Sequence, residues 1–180
     1  MTHPFAWVSS PYRWPLYAIL LVGTLLFAFK LTSQGKPLRT SAAPEGILSY
    51  EFAWSKTKAE AILASWDSLK ETARQQLLID FGFLVFYPLT LSLACAMLAG
   101  SAFNKMAAVG VFISWAVLLA GLLDATENLA LLRMLATNGS DFLARLAGVC
   151  AGVKFALVYA SLGYLVLQGL ATLVAKLRTA

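Results

Sequence analysis

The stretch Met106–Leu135, MAAVGVFISWAVLLAGLLDATENLALLRML, decides the class of this chain. Residues 106–123 carry no ionisable side chain; Asp124 and Glu127 then appear within a turn of each other, still inside apolar sequence. A run of roughly 18 or more such residues reads as a helix that crosses a bilayer. A charge inside such a helix is costly, so it faces a partner, a cavity or a substrate path.

Three further stretches share this character. The spans are expected at about residues 14–34, 77–100, 106–135 and 142–177. The last two exceed the thickness of a bilayer core, so each is expected to tilt or to project past the interface. Composition agrees: 59% of residues are hydrophobic, 13% are charged and the mean hydropathy is +0.73. Soluble domains hold about 45–50% apolar and about 25% charged residues. Four spans and one sizeable loop use up the 180 residues, which makes residues 1–180 a single integral membrane domain. The expected fold is all-α: an antiparallel four-transmembrane-helix bundle with an interfacial amphipathic helix in its first loop. The first hydrophobic run follows Arg13, ends near Lys30 and lacks a small-x-small cleavage site, so it reads as a retained span rather than a signal peptide. The net charge of +5 comes from basic residues at span ends and in loops. Anionic lipid headgroups explain it, and no nucleic-acid partner is expected.

Residues 1–13, with Phe5, Trp7 and Tyr12, read as a tail along the membrane surface. His3 reads there as an exposed tail residue, not a ligand. In the loop of residues 35–76, Leu48, Tyr50, Phe52 and Trp54 alternate with Ser49, Glu51 and Ala53. With no partner strand, this reads as an extended or irregular segment that places aromatics at the interface. Thr57-x-x-Glu60 is a capping box, followed by the apolar stripe Ala59, Ile62, Leu63, Trp66 and Leu69. A helix over about 57–67 is expected on the bilayer or on the mouth of the bundle. Ser68-x-x-Glu71 repeats the capping signal, and the chain is expected to turn near Asp67 into the second span. Asn138-Gly139 should stop one helix, with Ser140 or Asp141 capping the next. Cys95 and Cys150 fall toward opposite faces, too far apart for a disulfide. They read as buried small apolar residues, which disfavours thiol–disulfide chemistry.

The ionisable residues inside the spans converge once span direction is followed. Asp80 enters early in the second span; Asp124, Glu127 and Asn128 come late in the third; Lys154 lies about 13 Å beyond Arg145 in the fourth. All of these lean toward the long-loop side. Asp124, Glu127 and Asn128 share one helix face with Gly121. Lys154, Ser161 and Gln168 form a polar stripe, and Gly148, Gly152, Ala156 and Ala160 a small-residue ridge suited to close packing. Tyr87-Pro88 should bend the second helix and free a carbonyl.

Asp80, Asp124, Glu127, Asn128 and Lys154 are therefore the candidates for ligand binding or proton relay. In the bland reading the carboxylates pair with Lys154, Lys30 or Arg145 and only pin helices together. In the functional reading they line a pocket in one leaflet that binds or moves a lipid or small molecule. The spans contain no histidine, so a histidine-rich metal site is excluded, although the carboxylates and Asn128 could supply oxygen donors to a divalent cation. A serine hydrolase lacks both its base and its G-x-S-x-G turn, and no glycine loop for phosphate is present. No cofactor or metal is expected. The partners expected are membrane lipids and either a hydrophobic small molecule or a partner membrane protein, which would dock on the small-residue ridge if the chain were an accessory subunit. Whether the chain is enzyme, transporter or scaffold stays open, as does its oligomeric state.

Leu78-Ile79-Asp80-Phe81-Gly82-Phe83 at the entry of one span, and Gly121-Leu122-Leu123-Asp124-Ala125-Thr126-Glu127-Asn128 in the next, resemble segments of a group of small uncharacterised bacterial integral membrane proteins. The resemblance covers the middle of the chain. It implies four spans, a helical first loop and the bacterial inner membrane, and it implies no activity. Both termini are read as cytoplasmic, the commoner arrangement, against a raw Lys/Arg count that favours the long loop.

Overall fold

Charged residues are rare enough in four segments of this chain that each is long, apolar and helical. The computed structural model describes residues 2–100, 102, 105–137 and 139–179. Among them all regular structure is helical, in the order α1 (Ser10–Gly35), α2 (Ile47–Glu51), α3 (Lys56–Ser65), α4 (Lys70–Ala99), α5 (Lys105–Ala116), α6 (Leu118–Thr137) and α7 (Asp141–Thr179). Four segments are long and apolar enough to cross a membrane: Ser10–Leu38, Asp67–Ala99, Lys105–Thr137 and Asp141–Ala175. Large apolar side chains such as Ile19, Phe29, Leu122 and Val166 are exposed on these helices, as lipid-facing residues would be. With 39 residues, α7 runs about 58 Å, well beyond a hydrocarbon core of ~30 Å.

Side-chain contacts fix the antiparallel order. Leu20, in the first half of α1, packs with Leu93 and Ala96 in the last third of α4. At the other end, Gln76 Nε2 donates to the Leu31 carbonyl at 3.0 Å. Ser92 meets Ser114, Asn128 meets Asp80, and Lys154 meets Asp124, so α5–α6 and then α7 reverse direction in turn. α4 touches every other long helix, whereas α1 packs chiefly on α4.

The third span is not one helix. It divides at Val117, where Ala120 N–H bonds the Val117 carbonyl at 3.1 Å in a tightened turn. The cause is a pair of buried serines. Ser92 Oγ donates to the Ser114 carbonyl, and Ser114 Oγ returns a bond to the Ser92 carbonyl. The Ser114 carbonyl thus has a partner outside its own helix, which permits the break.

The carbonyl expected to be freed at Tyr87-Pro88 is used for packing. Pro88 has no N–H, so the Leu84 carbonyl loses its usual donor. Gly121 of α6 lies against this spot: a Cβ there would stand 3.0 Å from both the Leu84 oxygen and Pro88 Cγ. On the opposite side of α4, Gly23 and Gly82 receive the rings of Phe86 and Phe27, which stack with centroids 5.6 Å apart. This exchange of glycine holes and phenylalanine knobs holds α1 to α4, and reading the sequence did not anticipate it.

The loop departs from expectation in three ways. Residues 47–51 are helical, not extended, and Tyr50 is fully buried instead of lying at an interface. The cap of α3 is Ser55, whose side chain accepts from Lys58 N–H, so the helix starts at Lys56 and Thr57 is inside it. Ser68 caps nothing: a short 3-10 turn, Asp67–Leu69, leads directly into α4. The stripe Ala59, Ile62, Leu63 and Trp66 is buried with Leu77, Leu131, Met134 and Ala147. It therefore closes the mouth of the bundle. Trp66 Nε1 donates to the Leu38 carbonyl at 2.7 Å, and Trp54, in the left-handed region at φ 60°, lies against Gly148.

The tail does not run free along a surface either. Phe5 and Val8 are buried against Leu20, Leu93 and Ala96, while Trp7 and Tyr12 are exposed. The Phe5 N–H donates to His3 Nδ1, a local turn contact. Beyond the end of α6 at Thr137, Gly139 has φ 98° and its N–H bonds the Met134 carbonyl. Ser101, Phe103, Asn104 and Asn138 lie outside the described residues. Cys95 and Cys150 are buried free thiols.

Replacing Gly82 by Val should displace the Phe27 ring and cost about 1–3 kcal/mol. Thermal unfolding read with a thiol-reactive dye on the two buried cysteines should show a lower midpoint; an unchanged midpoint would contradict the packing.

Candidate functional site

Helical phase explains how the site assembles. Asp124, Glu127 and Asn128 lie on the inward face of α6, all buried, with Gly121 one turn earlier. Lys154 of α7, only 7% exposed, places Nζ 2.8 Å from Asp124 Oδ1 and 2.8 Å from Glu127 Oε2. Asn128 Nδ2 donates to Asp80 Oδ2 at 2.6 Å, joining α6 to α4. The five residues singled out in the sequence are thus brought together as two linked groups.

Lys30 and Arg145 do not join them, and both are exposed. Of the cations weighed as partners, only Lys154 pairs with the carboxylates. In the small-residue ridge, Gly148 is filled by the Trp54 ring, whereas Gly152, Ala156 and Ala160 are exposed. Ser161 and Gln168 continue the buried polar stripe from Lys154, with Ser161 Oγ bonding the Val158 carbonyl.

Two members were missed. Glu51, in the loop helix α2, points back into the bundle with Oε2 3.6 Å from Lys154 Nζ. Its neighbour Phe52 stacks on Phe155, and Phe155 on Tyr159, at centroid distances of 6.0 and 6.2 Å. Period-two reading set Glu51 opposite Tyr50. Read at helical spacing, Ile47, Tyr50 and Glu51 share one face, and that face is the inward one. The second is Tyr87, noted in the sequence only for the bend expected there. It is 6% exposed, its ring lies 4.9 Å from that of Phe83, and its hydroxyl faces Asp124 without a well-formed hydrogen bond.

A groove of about 510 Å³ opens beside this cluster. Tyr17 and Thr24 of α1 and Phe155 and Leu165 of α7 form its walls, with α4 as its floor. Asp80, Asp124, Glu51 and Lys154 occupy one end, and Leu91, Ala94, Leu162 and Leu165 continue it as an apolar trench. Among the described residues, no group of three or more acidic, histidine or cysteine side chains is placed to hold a metal ion. The divalent-cation option therefore gains no support.

Three carboxylates (Glu51, Asp124, Glu127) share the Lys154 ammonium, and a fourth, Asp80, lies beside them on the Asn128 amide. Three uncompensated charges in an apolar bundle would be far too costly, so protons or a bound cation must balance them. At Glu51, which lies outside the spans, burial raises the carboxyl above the usual range, against the opposing pull of Lys154. No family profile matches the chain, and neither a curated protein nor a solved structure matches it.

Two outcomes follow from this electrostatic balance. Lys154→Met leaves Asp124 and Glu127 buried without a counter-charge and should destabilise the fold by about 3–5 kcal/mol, read as a lower unfolding midpoint. Glu51 faces Asp124, Glu127, Lys154 and, further off, Asp80. With its pKa raised on folding, the folded chain holds more protons than the unfolded chain above the ordinary value near 4.5. Stability therefore falls as pH rises from there toward the raised value. Glu51→Gln should flatten this slope and raise the midpoint at about pH 8 relative to the wild type. A wild-type midpoint that climbs with pH across this window would contradict the assignment.

Proposed function

We propose that this is a multi-pass membrane protein that binds or moves a lipid or other amphipathic small molecule through a polar pocket in one leaflet. The observation that carries the reading is the groove between α1 and α7, charged at one end and apolar along the rest. Ligand sites are typically concave, mostly apolar and supplied with a few convergent polar groups. A volume near 510 Å³ falls within the usual range of about 300–1,000 Å³. The reading takes the charged end to lie in the leaflet on the long-loop side, with α3 at the membrane interface closing that end. It takes the membrane to be the bacterial inner membrane and both termini to be cytoplasmic.

A second reading also has an observation behind it. Lys154 is gripped by Asp124 and Glu127 at 2.8 Å each, which is what a lock between α6 and α7 requires. On that reading the chain is a non-catalytic assembly or accessory subunit, and the exposed Gly152, Ala156 and Ala160 would receive a partner helix. The groove favours the first reading, because a lock needs no open trench beside it.

Native mass spectrometry in mild detergent separates the two. A copurified amphiphile of defined mass is expected on the wild type and should be lost from Ala94→Trp, which fills the trench away from the charges. A bare wild-type protein, or a ligand retained equally by the filled variant, would overturn the pocket reading.

A further inference from the structure

The members of the cluster are not equivalent. Asp124 and Glu127 are committed to Lys154. Among the described residues Asp80 is hydrogen-bonded only by the Asn128 amide, through one oxygen, and it is part exposed where it lines the groove. Among the described residues no Lys, Arg or His nitrogen lies within ion-pair distance of it; the buried ion pairs belong to Lys154. Next to Asp80 are the rings of Phe83 and Tyr87, one and two turns on along α4. Tyr87, buried, lines the same space, and its hydroxyl faces the Asp124 carboxylate without a well-formed hydrogen bond. A buried hydroxyl held so loosely leaves room for a further polar group beside it.

The sign of the charge narrows what that group is. Among the described residues Lys154 is the one cation lining the groove, and it is already neutralised by two carboxylates. A phosphate or carboxylate headgroup would find no free positive charge there and would face Asp80 and Glu51. A metal ion is disfavoured by the absence of a suitable cluster among the described residues. A carboxylate beside aromatic faces suits an organic ammonium, which gains both the ion pair and the attraction of the ring quadrupoles. From Phe155 to Leu165 the apolar wall extends about 15 Å along α7, room for a tail.

We infer that the groove binds an amphiphile whose protonated amine or quaternary ammonium head sits on Asp80 against Phe83 and Tyr87, with its tail between α1 and α7. The inference rests on the pocket reading and adds the class of ligand. The acid excess at the polar end then has a role: it accepts the positive head, and Asn128 holds the Asp80 carboxylate in position for it.

The test uses the full chain in neutral maltoside micelles at about pH 8, with unfolding read by the thiol-reactive dye. Dodecylamine, dodecanol and dodecanoate are added at matched mole fractions. Dodecylamine should raise the midpoint saturably, dodecanol should raise it less, and dodecanoate should not raise it. Asp80→Asn, which keeps the contact to Asn128, should weaken half-saturation by dodecylamine about tenfold and leave dodecanol unchanged, as expected for loss of one charge-assisted contact. Tyr87→Phe removes only the hydroxyl and should weaken dodecylamine by a few-fold, which keeps the test decisive if Asp80→Asn does not fold. Equal effects of amine and alcohol, or a preference for dodecanoate, would overturn the headgroup assignment while leaving the groove as a site. No shift with any of the three would overturn the pocket reading itself, leaving protons to balance the acids. Competition by phosphatidylethanolamine but not phosphatidylglycerol would identify the amine as that of a membrane lipid; no competition would point to a free lipophilic amine.

Discussion

One buried ammonium organises this molecule. Lys154 touches carboxylates from α6 and faces another from the loop helix α2, while Asn128 extends the network to α4 through Asp80. Charges in an apolar bundle are tolerated only when they meet one another, so the positions of α2, α6 and α7 are tied together. The loop cannot lie flat on a membrane and still deliver Glu51 to Lys154. It folds inward, and Tyr50, Trp66 and Ile62 then form the small core that seals that end.

Much of the frame was legible because lipid leaves few options. Long apolar runs must be helices, short connections force reversal, and spacing of three and four puts Asp124, Glu127 and Asn128 on one face. Direction alone brought Asp80 and Lys154 to the same end. The loop was less legible. Alternation of aromatics over residues 48–54 suggested an extended chain, but seven residues are too few for either period to decide. What decides is tertiary: Tyr50 and Trp66 bury together, with ring centroids 5.5 Å apart, and the helical turn is the one that also turns Glu51 inward. The break at Val117 was likewise invisible, since Ser92 and Ser114 are far apart in sequence and only their meeting takes a carbonyl out of its ladder.

The attachment of α1 is of a different kind. Among the described residues no ion pair ties it to the rest; it is held by the shape match of Gly23 and Gly82 with Phe86 and Phe27 and by Thr24 Oγ1 at 2.9 Å from Thr90 Oγ1. Packing of this sort fixes one face of α1 and leaves the edge toward α7 open. The groove follows from that asymmetry: α6 and α7 are locked by charge and α1 and α4 by fit, while α1 and α7, on its two sides, are not closely packed on each other. Thr24 and Thr90 line it on the α1–α4 side.

The lock and the pocket are therefore two parts of one arrangement. Lys154, Asp124 and Glu127 are arranged as a lock, with short contacts on both sides of the ammonium. Asp80 is arranged otherwise, at the lip of the groove with an amide for its partner. Had the network served only to pin helices, the simplest chemistry would have set a lysine opposite Asp80 as well, or an apolar residue in its place, since a replaced buried ion pair is often neutral or stabilising. An asparagine does neither. It orients a carboxylate without neutralising it, and an oriented, un-neutralised carboxylate beside two aromatic rings at the head of an apolar trench is the part of this fold that stability leaves unexplained.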